Sequence, residues 1–146
     1  MVVLRLTCGD AFWQKTIAYA DGCMWAGGKR LAYLMENNRF TDWESVFIAT
    51  EAEVVVGFCT LLKEDYFPEN RYTPWISTIF VDKEMRGGRI SQKLIEAASA
   101  RAKEVGFTKV YIPSDLVGLY EKYGFTVIDS LLNYEGTPDT VFVKEI

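Results

Sequence analysis

Hydrophobic positions along the chain follow two spacings, and each change of spacing marks the boundary of a predicted element. Strand patterns occur at Val2–Leu6, Glu44–Thr50, Val54–Lys63, Trp75–Val81, Lys109–Ile112, Phe125–Asp129 and Thr140–Lys144. Helical patterns occur at Asp10–Ala20, Met24–Asn37, Ile90–Val105 and Leu116–Tyr123. This order predicts an α/β (α+β) fold with a mixed central sheet of about six to seven strands flanked by helices.

Local signals support several of these boundaries. Asp10 is a suitable N-cap for the first helix, and Gly106 is a suitable C′ residue for the long one. The segment Glu51-Ala52-Glu53 predicts a tight hairpin, and Gly57 allows a bulge in the strand that follows. Phe67-Pro68 indicates a loop. Since the 146 residues show no repeat or low-complexity linker, we expect one domain spanning residues 1–146.

Composition narrows the classes of function. The formal net charge is −4 and the isoelectric point is near 4.9, which argues against broad binding of nucleic acid. The stretch Val54–Leu62 is far shorter than the roughly 18 apolar residues that a membrane span needs. No basic segment followed by an apolar core begins the sequence, so we expect a cytoplasmic protein that binds neither membrane nor nucleic acid.

Histidine and cysteine usage excludes further chemistry. The chain has no histidine, which excludes a Ser-His-Asp triad, a histidine general base and a histidine-containing zinc site. Cys8, Cys23 and Cys59 are irregularly spaced in apolar surroundings, which predicts reduced, buried cysteines and no metal site. A cysteine nucleophile has no evident partner base.

The most informative stretch joins a predicted strand to a long helix. Ile79-Phe80-Val81 ends the strand, and Arg86-Gly87-Gly88-Arg89-Ile90-Ser91 opens the helix. Such a turn presents unpaired backbone N–H groups, the positive end of the helix dipole and two guanidinium groups to one point, where a pyrophosphate would fit. The alternative is an ordinary Gly-Gly turn with solvated arginines.

These residues resemble the cofactor-binding core of GNAT-type N-acetyltransferases. The resemblance covers Ile79-Phe80-Val81-Asp82, Met85 to Ser91, Val110-Tyr111-Ile112 and Leu119 to Phe125. The family's phosphate-binding signature is an Arg or Gln, two free positions, a Gly, one free position, and a Gly or Ala. Arg86 matches the first position, whereas Arg89 and Ser91 stand where small residues are usual.

The resemblance implies acetyl-coenzyme A as co-substrate and suggests which residues bind it. Backbone N–H groups of the turn would hold the pyrophosphate, and Phe80 and Val81 would pair through their backbone with the pantetheine arm. Ser114 falls near the cofactor in the family, although a helix N-cap explains it equally well. The implied cofactor-binding residues are Phe80, Val81, Arg86, Gly87, Gly88, Arg89, Ile90, Ser91, Ser114 and Tyr120.

Acetyl transfer from a thioester to an amine also needs a proton donor for the departing thiolate and a base for the amine. Tyr120 matches the family's tyrosine that donates this proton, whereas we expect Tyr123 only to pack. Many relatives carry a glutamate on the central strand, but this chain has Trp75-Ile76-Ser77-Thr78 there. Glu36, Glu64, Asp65 or a chain of ordered waters remain candidates for the base.

The predicted function is acetyl-coenzyme A-dependent N-acetylation of a primary amine, by direct attack with Tyr120 as general acid. An acidic chain with many aromatic residues favours a small-molecule amine. The alternatives are a protein or peptide amine, a non-catalytic module that binds a coenzyme A ester, and an unrelated nucleotide-binding domain. A homodimer also remains open. Aromatic candidates for the wall of the acceptor pocket are Trp25, Tyr33, Tyr66, Phe67, Tyr72 and Trp75.

Overall fold

Seven strands form one mixed sheet in the computed structural model, which describes residues 1–146. The strands are β1 (Val2–Leu6), β2 (Ser45–Glu51), β3 (Val54–Leu62), β4 (Trp75–Val81), β5 (Lys109–Ser114), β6 (Thr126–Leu132) and β7 (Pro138–Glu145). Their order in space is β1-β2-β3-β4-β5-β7-β6. Neighbouring strands are antiparallel except β4 and β5, which are parallel. The predicted fold class is confirmed.

Three α-helices cover the sheet: α1 (Phe12–Gly22), α2 (Ala26–Glu36) and α3 (Ile90–Val105). Ala11 stands at the N-cap position of α1, one residue later than predicted, and the Asp10 carboxylate accepts a hydrogen bond from the Phe12 N–H at 2.9 Å. Gly106, with φ of +115°, ends α3 and donates to the Ala102 carbonyl at 3.2 Å. None of the helices combines the length and the apolar character needed to cross a bilayer.

The helices bury opposite faces of the sheet because side chains alternate along each strand. Phe47 and Ala49 of β2 belong to the core beneath α3, which includes Leu94 and Ala98. Val46 and Ile48 of the same strand belong to the core beneath α1 and α2. A smaller cluster comprises Phe67, Trp75, Leu131 and Val141.

Two predictions were wrong in detail. The segment Leu116–Tyr123 is not one helix: only Tyr120–Tyr123 is helical, as a 3₁₀ turn, because Gly118 at a φ of +91° interrupts the preceding residues. The cysteines are unpaired as expected, and Cys59 is buried, but Cys8 is exposed on the turn after β1.

The predicted hairpin and bulge are confirmed in the β2–β3 pair. Ala52 and Glu53 make the turn with positive φ, and the register shifts between Ala49 and Thr50, next to Gly57 on the partner strand. A second irregularity lies between β3 and β4, where Phe58 pairs with Phe80 but Thr60 pairs with Ser77. The extra residue therefore belongs to β4, at the centre of the sheet.

Candidate functional site

A cleft of about 1210 Å³ opens where β4 and β5 separate. The two strands pair at Trp75 opposite Tyr111, and the Tyr111 N–H donates to the Pro74 carbonyl at 3.1 Å. Beyond this point, Ser77 to Val81 line one side of the cleft, and Pro113 and Ser114 line the other. The cleft therefore exposes a strand edge that a continuous sheet would cover with the next strand.

The bulge of β4 lies on this open edge. Thr78 has a φ of +53°, which is uncommon for a β-branched residue and marks the extra residue of the bulge. The Thr60 hydroxyl donates to the Ser77 carbonyl at 3.0 Å and lies 3.1 Å from the Ser77 hydroxyl. Thr60 therefore satisfies the buried polar groups that the irregular register leaves without ladder partners.

The predicted anion-binding turn lies at the other end of the cleft. Gly87 has a φ of +93° and Arg89 a φ of +61°, so the chain reverses and enters α3 at Ile90. The N–H groups of Gly87, Gly88 and Arg89 have no protein acceptor. Together with the free N–H groups of the first turn of α3, they form a positive site suited to a phosphate group.

Arg86 links the turn to the end of β4. Its Nε donates to the Val81 carbonyl at 3.0 Å, and its guanidinium carbon lies 5.7 Å from the centre of the Phe80 ring. A carbonyl oxygen has two lone pairs, so the Val81 carbonyl can accept a second hydrogen bond from an extended ligand. Arg86 thus supplies positive charge and holds the end of the strand in place.

Tyr120 lies between the hydrophobic core and the cleft, and it forms part of the cleft wall. It is only 4% exposed and packs against Phe125 and Phe142, with ring centroids 6.5 Å and 5.6 Å away. Burial raises the pKa of Tyr120 to about 12, with a smaller opposing effect from the Ser114 hydroxyl. The phenol therefore stays protonated at neutral pH and is able to donate a proton.

Two serines complete this part of the cleft. The Ser91 hydroxyl lies 2.9 Å from the Tyr123 hydroxyl, so Tyr123 also reaches the cleft, although the sequence suggested only packing for it. Ser114 ends β5, and its hydroxyl accepts the Leu116 N–H at 3.0 Å. Ser114 therefore caps the turn that follows, while its role toward a cofactor stays a prediction.

The structure brings nearly all predicted site residues to this one cleft. Those that line it are Phe80, Val81, Arg86, Gly87, Arg89, Ile90, Ser91, Ser114 and Tyr120. Gly88 does not line it, although its free N–H belongs to the same turn.

Aromatic residues from the N-terminal half and from the β3–β4 loop form the rest of the wall. Trp25 stacks on Phe80 with ring centroids 5.8 Å apart, and Tyr66 and Phe67 also line the cleft. Gly27 makes room for Trp25, because a Cβ there would lie 2.5 Å from the indole. Of the other aromatic candidates, Tyr33 points to solvent, Tyr72 donates to Asp129 at 2.7 Å, and Trp75 is fully buried.

Asp65 is one of the three acidic residues that the sequence leaves as candidates for the base, with Glu36 and Glu64. It lines the cleft, and its side chain is 7% exposed. Burial raises the pKa of Asp65, while the Arg30 guanidinium and the Tyr66 N–H oppose that shift. Nothing in the local sequence distinguishes Asp65 from exposed Glu64, since the burial depends on α2 and β4 folding around the loop.

The fold therefore has a cleft between two parallel strands, with an open strand edge along it and a turn suited to a phosphate group at one end. The family model for the acetyltransferase (GNAT) domain matches residues 42–127. The chain therefore belongs to the GNAT acetyltransferase family. Acetyl-coenzyme A is the co-substrate of GNAT enzymes, so the predicted family, fold and cofactor are confirmed.

Similar proteins agree with this assignment. The acetyltransferase Atu2258 of Agrobacterium fabrum is 38% identical over 60 residues, which is 39% of this chain and 44% of that protein. The chain therefore matches less than half of the length of this relative.

Solved structures are similar over the whole fold. An aminoglycoside 6'-N-acetyltransferase complexed with coenzyme A has a TM-score of 0.75 and 16% identity, covering 99% of this chain and 97% of that one. The ribosomal-protein-alanine N-acetyltransferase of Brucella melitensis has a TM-score of 0.68 and 18% identity, covering 100% of both chains. At such identities, these structures support the fold alone.

Proposed function

We propose that this protein transfers the acetyl group of acetyl-coenzyme A to a primary amine of a small molecule, with Tyr120 as general acid. The observation that carries the proposal is the arrangement of the cleft. It joins a turn with free N–H groups, an open strand edge and a buried protonated phenol within one cavity. These are the groups that a pyrophosphate, a pantetheine arm and a departing thiolate require, in that order.

The turn from Arg86 to Ser91 would hold the pyrophosphate, and the open edge of β4 would pair with the amides of pantetheine. A cofactor held by these two contacts would extend along the cleft and place its thioester near Tyr120 and the aromatic wall. A free backbone N–H on β4, with Val81 as the predicted donor, would polarise the thioester carbonyl.

Acetyl transfer then proceeds by direct attack. The amine nitrogen forms a bond to the thioester carbonyl carbon, and the C–S bond breaks as the tetrahedral intermediate collapses. The departing thiolate takes the phenolic proton of Tyr120. The phenolate recovers a proton from the substituted nitrogen as the amide forms, so Tyr120 returns to its starting state.

The form of the acceptor side supports a small, cationic amine. Trp25, Tyr66 and Phe67 give this part of the cleft an aromatic lining, and the chain as a whole is acidic. The proteins of similar fold are named for two kinds of acceptor, an aminoglycoside and the alanine of a ribosomal protein, so the test below includes both a small amine and a peptide amine.

A screen of primary amines and short peptides with acetyl-coenzyme A tests the proposal, with released thiol as the readout. We expect turnover with a small amine and a rate that rises with pH, because the acceptor nitrogen must lose its proton before it attacks the thioester. Tight binding of acetyl-coenzyme A without turnover on any amine would identify a binding module instead.

A further inference from the structure

One oxygen of a buried carboxylate in the cleft has no partner. Asp65 Oδ1 accepts from Arg30 Nη1 at 3.2 Å and from the Tyr66 N–H at 2.7 Å. Asp65 Oδ2 is buried and has no hydrogen-bond partner. The nearby Ser77 hydroxyl is engaged with Thr60 at 3.1 Å. An unpaired carboxylate oxygen in a buried position is costly, which indicates a site that a donor occupies at some stage of function.

The loop around Asp65 is held in place by Asn70. Asn70 Oδ1 accepts from the Asp65 N–H at 2.8 Å and from Trp75 Nε1 at 3.1 Å. Asn70 Nδ2 donates to the carbonyls of Asp65 and Phe67, at 3.2 Å and 2.9 Å. The carboxylate is therefore fixed relative to the first residue of β4 and is not a mobile loop charge.

The structure distinguishes Asp65 from the two other acidic candidates. Glu36 ends α2 and Glu64 precedes Asp65 in the loop, and both side chains are exposed and lie outside the cleft. Asp65 shares the cleft with Ser77 and Thr78 of β4, where the central strand itself carries no ionisable group. Trp25 and Tyr66 line the same cleft, so a cation entering it meets aromatic side chains and the carboxylate group of Asp65.

We propose that Asp65 is the catalytic base that binds the ammonium group of the acceptor and removes its proton before acetyl transfer, an inference that rests on the proposed function. The ammonium would donate to Oδ2, and one N–H proton would pass to that oxygen. The neutral amine then carries the lone pair that attacks the thioester. The carboxylic acid releases the proton to solvent after the product leaves.

The charged groups around Asp65 fit this role. Arg30 of α2 pairs with Oδ1 and is the charge that lowers the pKa of Asp65, against the larger raising effect of burial. The Tyr66 N–H donates to Oδ1, and the nearby Ser77 hydroxyl of β4 also lowers the pKa of Asp65, although its hydrogen bond is to Thr60. Asp139 of β7 lines the same cleft, and its carboxylate accepts a hydrogen bond from Asn133 Nδ2 at 3.3 Å. A carboxylate whose pKa is raised by burial is a better proton acceptor than an exposed one.

Asp65→Asn removes the base with little change in shape. With the best amine from the screen, we expect kcat at pH 7 to fall about 100-fold, while the Kd for acetyl-coenzyme A stays within about twofold. The parent enzyme should reach a plateau of kcat at a lower pH than the variant, whose rate should follow the fraction of free amine. Glu64→Gln is the matched control, because it removes the same charge from an exposed position in the same loop.

Arg30→Gln separates catalysis from structure, because it retains Asp65 but removes its positive neighbour. The pKa of Asp65 should rise further, so the acidic limb of the kcat profile should move to higher pH. A merely structural ion pair would change the melting temperature and leave that limb where it was.

Three results would overturn the inference. These are an Asp65→Asn variant with the parent's turnover and pH profile, an equal loss in Glu64→Gln, or an acidic limb that Arg30→Gln does not move. A parent protein that acetylates no amine would overturn the proposed function as well, so failure of the two proposals is distinguishable.

Discussion

The two ends of the cleft are built in different ways. The proposed cofactor end consists of backbone N–H groups at Gly87, Gly88 and Arg89, adjacent in sequence and placed by a strand, a turn and a helix. The proposed acceptor end consists of the side chains of Trp25, Asp65 and Tyr66, which come from two distant segments of the chain, the residue before α2 and the β3–β4 loop. A local motif therefore defines the first end, while tertiary packing defines the second.

This difference separates two kinds of mutational effect. Substitutions at the cofactor end should change the binding of acetyl-coenzyme A and leave the choice of acceptor unchanged. Substitutions at the acceptor end should change turnover or the KM for the amine and leave cofactor affinity unchanged. A substitution at one end that changes the property assigned to the other end would show that the two ends are coupled.

The largest expected effect belongs to Ser91→Asp, at the first turn of α3. A carboxylate there would repel a pyrophosphate, and we expect the affinity for acetyl-coenzyme A to fall about 100-fold by isothermal titration calorimetry. The same carboxylate interacts favourably with the helix dipole, so the melting temperature of the free protein should not fall through this charge.

Ser91→Asn is the neutral control for that charge. It retains a polar side chain beside Tyr123 and should weaken binding only severalfold. If Ser91→Asp binds acetyl-coenzyme A as tightly as Ser91→Asn, the pyrophosphate does not lie at the start of α3.

Tyr120→Phe should keep the affinity for acetyl-coenzyme A while lowering kcat by about 10- to 100-fold, because it removes the proton donor for the thiolate. Steady-state kinetics with an amine for which chemistry limits the rate measures this effect. Burial holds the pKa of Tyr120 at about 12, so the phenol should cause no loss of activity in the parent enzyme below about pH 10.

Tyr123→Phe is the comparison within the same 3₁₀ turn. It removes the hydroxyl that contacts Ser91, so it should affect cofactor affinity more than kcat. Equal losses of kcat in the two variants would assign the effect to packing of the turn and contradict the assignment of Tyr120 as the acid.

Trp25→Ala should raise the KM for a cationic amine about tenfold, as expected for the loss of an aromatic face over a cation. Tyr33→Ala provides the control, because Tyr33 is 55% exposed on α2 and does not line the cleft. An unchanged KM in Trp25→Ala would place the acceptor elsewhere in the cleft.

The smallest effect concerns stability. Burial raises the folded-state pKa of Asp65 above its ordinary value, so folding favours the protonated form. The stability from this preference is present below the ordinary pKa and is lost as pH rises through the folded-state pKa. The Asn side chain of Asp65→Asn does not titrate. Calorimetry from about pH 4 to pH 8 should therefore show that the melting temperature of the variant, relative to that of the parent, rises with pH. A constant difference would contradict the raised pKa.

Much of the cofactor end could be predicted from the sequence because its signals are local. The apolar strand Trp75–Val81, the Gly-Gly turn and the helix that Gly106 ends lie in one continuous segment. The structure places them in the predicted order. Arg89 and Ser91 replace the small residues that are usual in the family's phosphate-binding signature. These replacements change side chains only, and the backbone N–H groups of the turn remain free.

The acceptor end could be predicted only as a set of candidates. Three of the six aromatic candidates line the cleft: Trp25, Tyr66 and Phe67. Asp65 and Glu64 have similar local sequence, and only the packing of Arg30 and Asn70 around the loop buries one of them. The helix predicted at Leu116–Tyr123 was wrong because the apolar spacing did not reveal the positive φ of Gly118.

The separation of β4 from β5 also affects self-association. An unpaired strand edge is a template for pairing with another polypeptide, and the outer edges of β1 and β6 face solvent in that way. The free edge of β4 is instead recessed, since a second polypeptide would have to enter between two strands already joined at Trp75 and Tyr111. A thin ligand with a few amides can reach this edge, so the fold presents a β-sheet edge to small molecules while shielding it from aggregation.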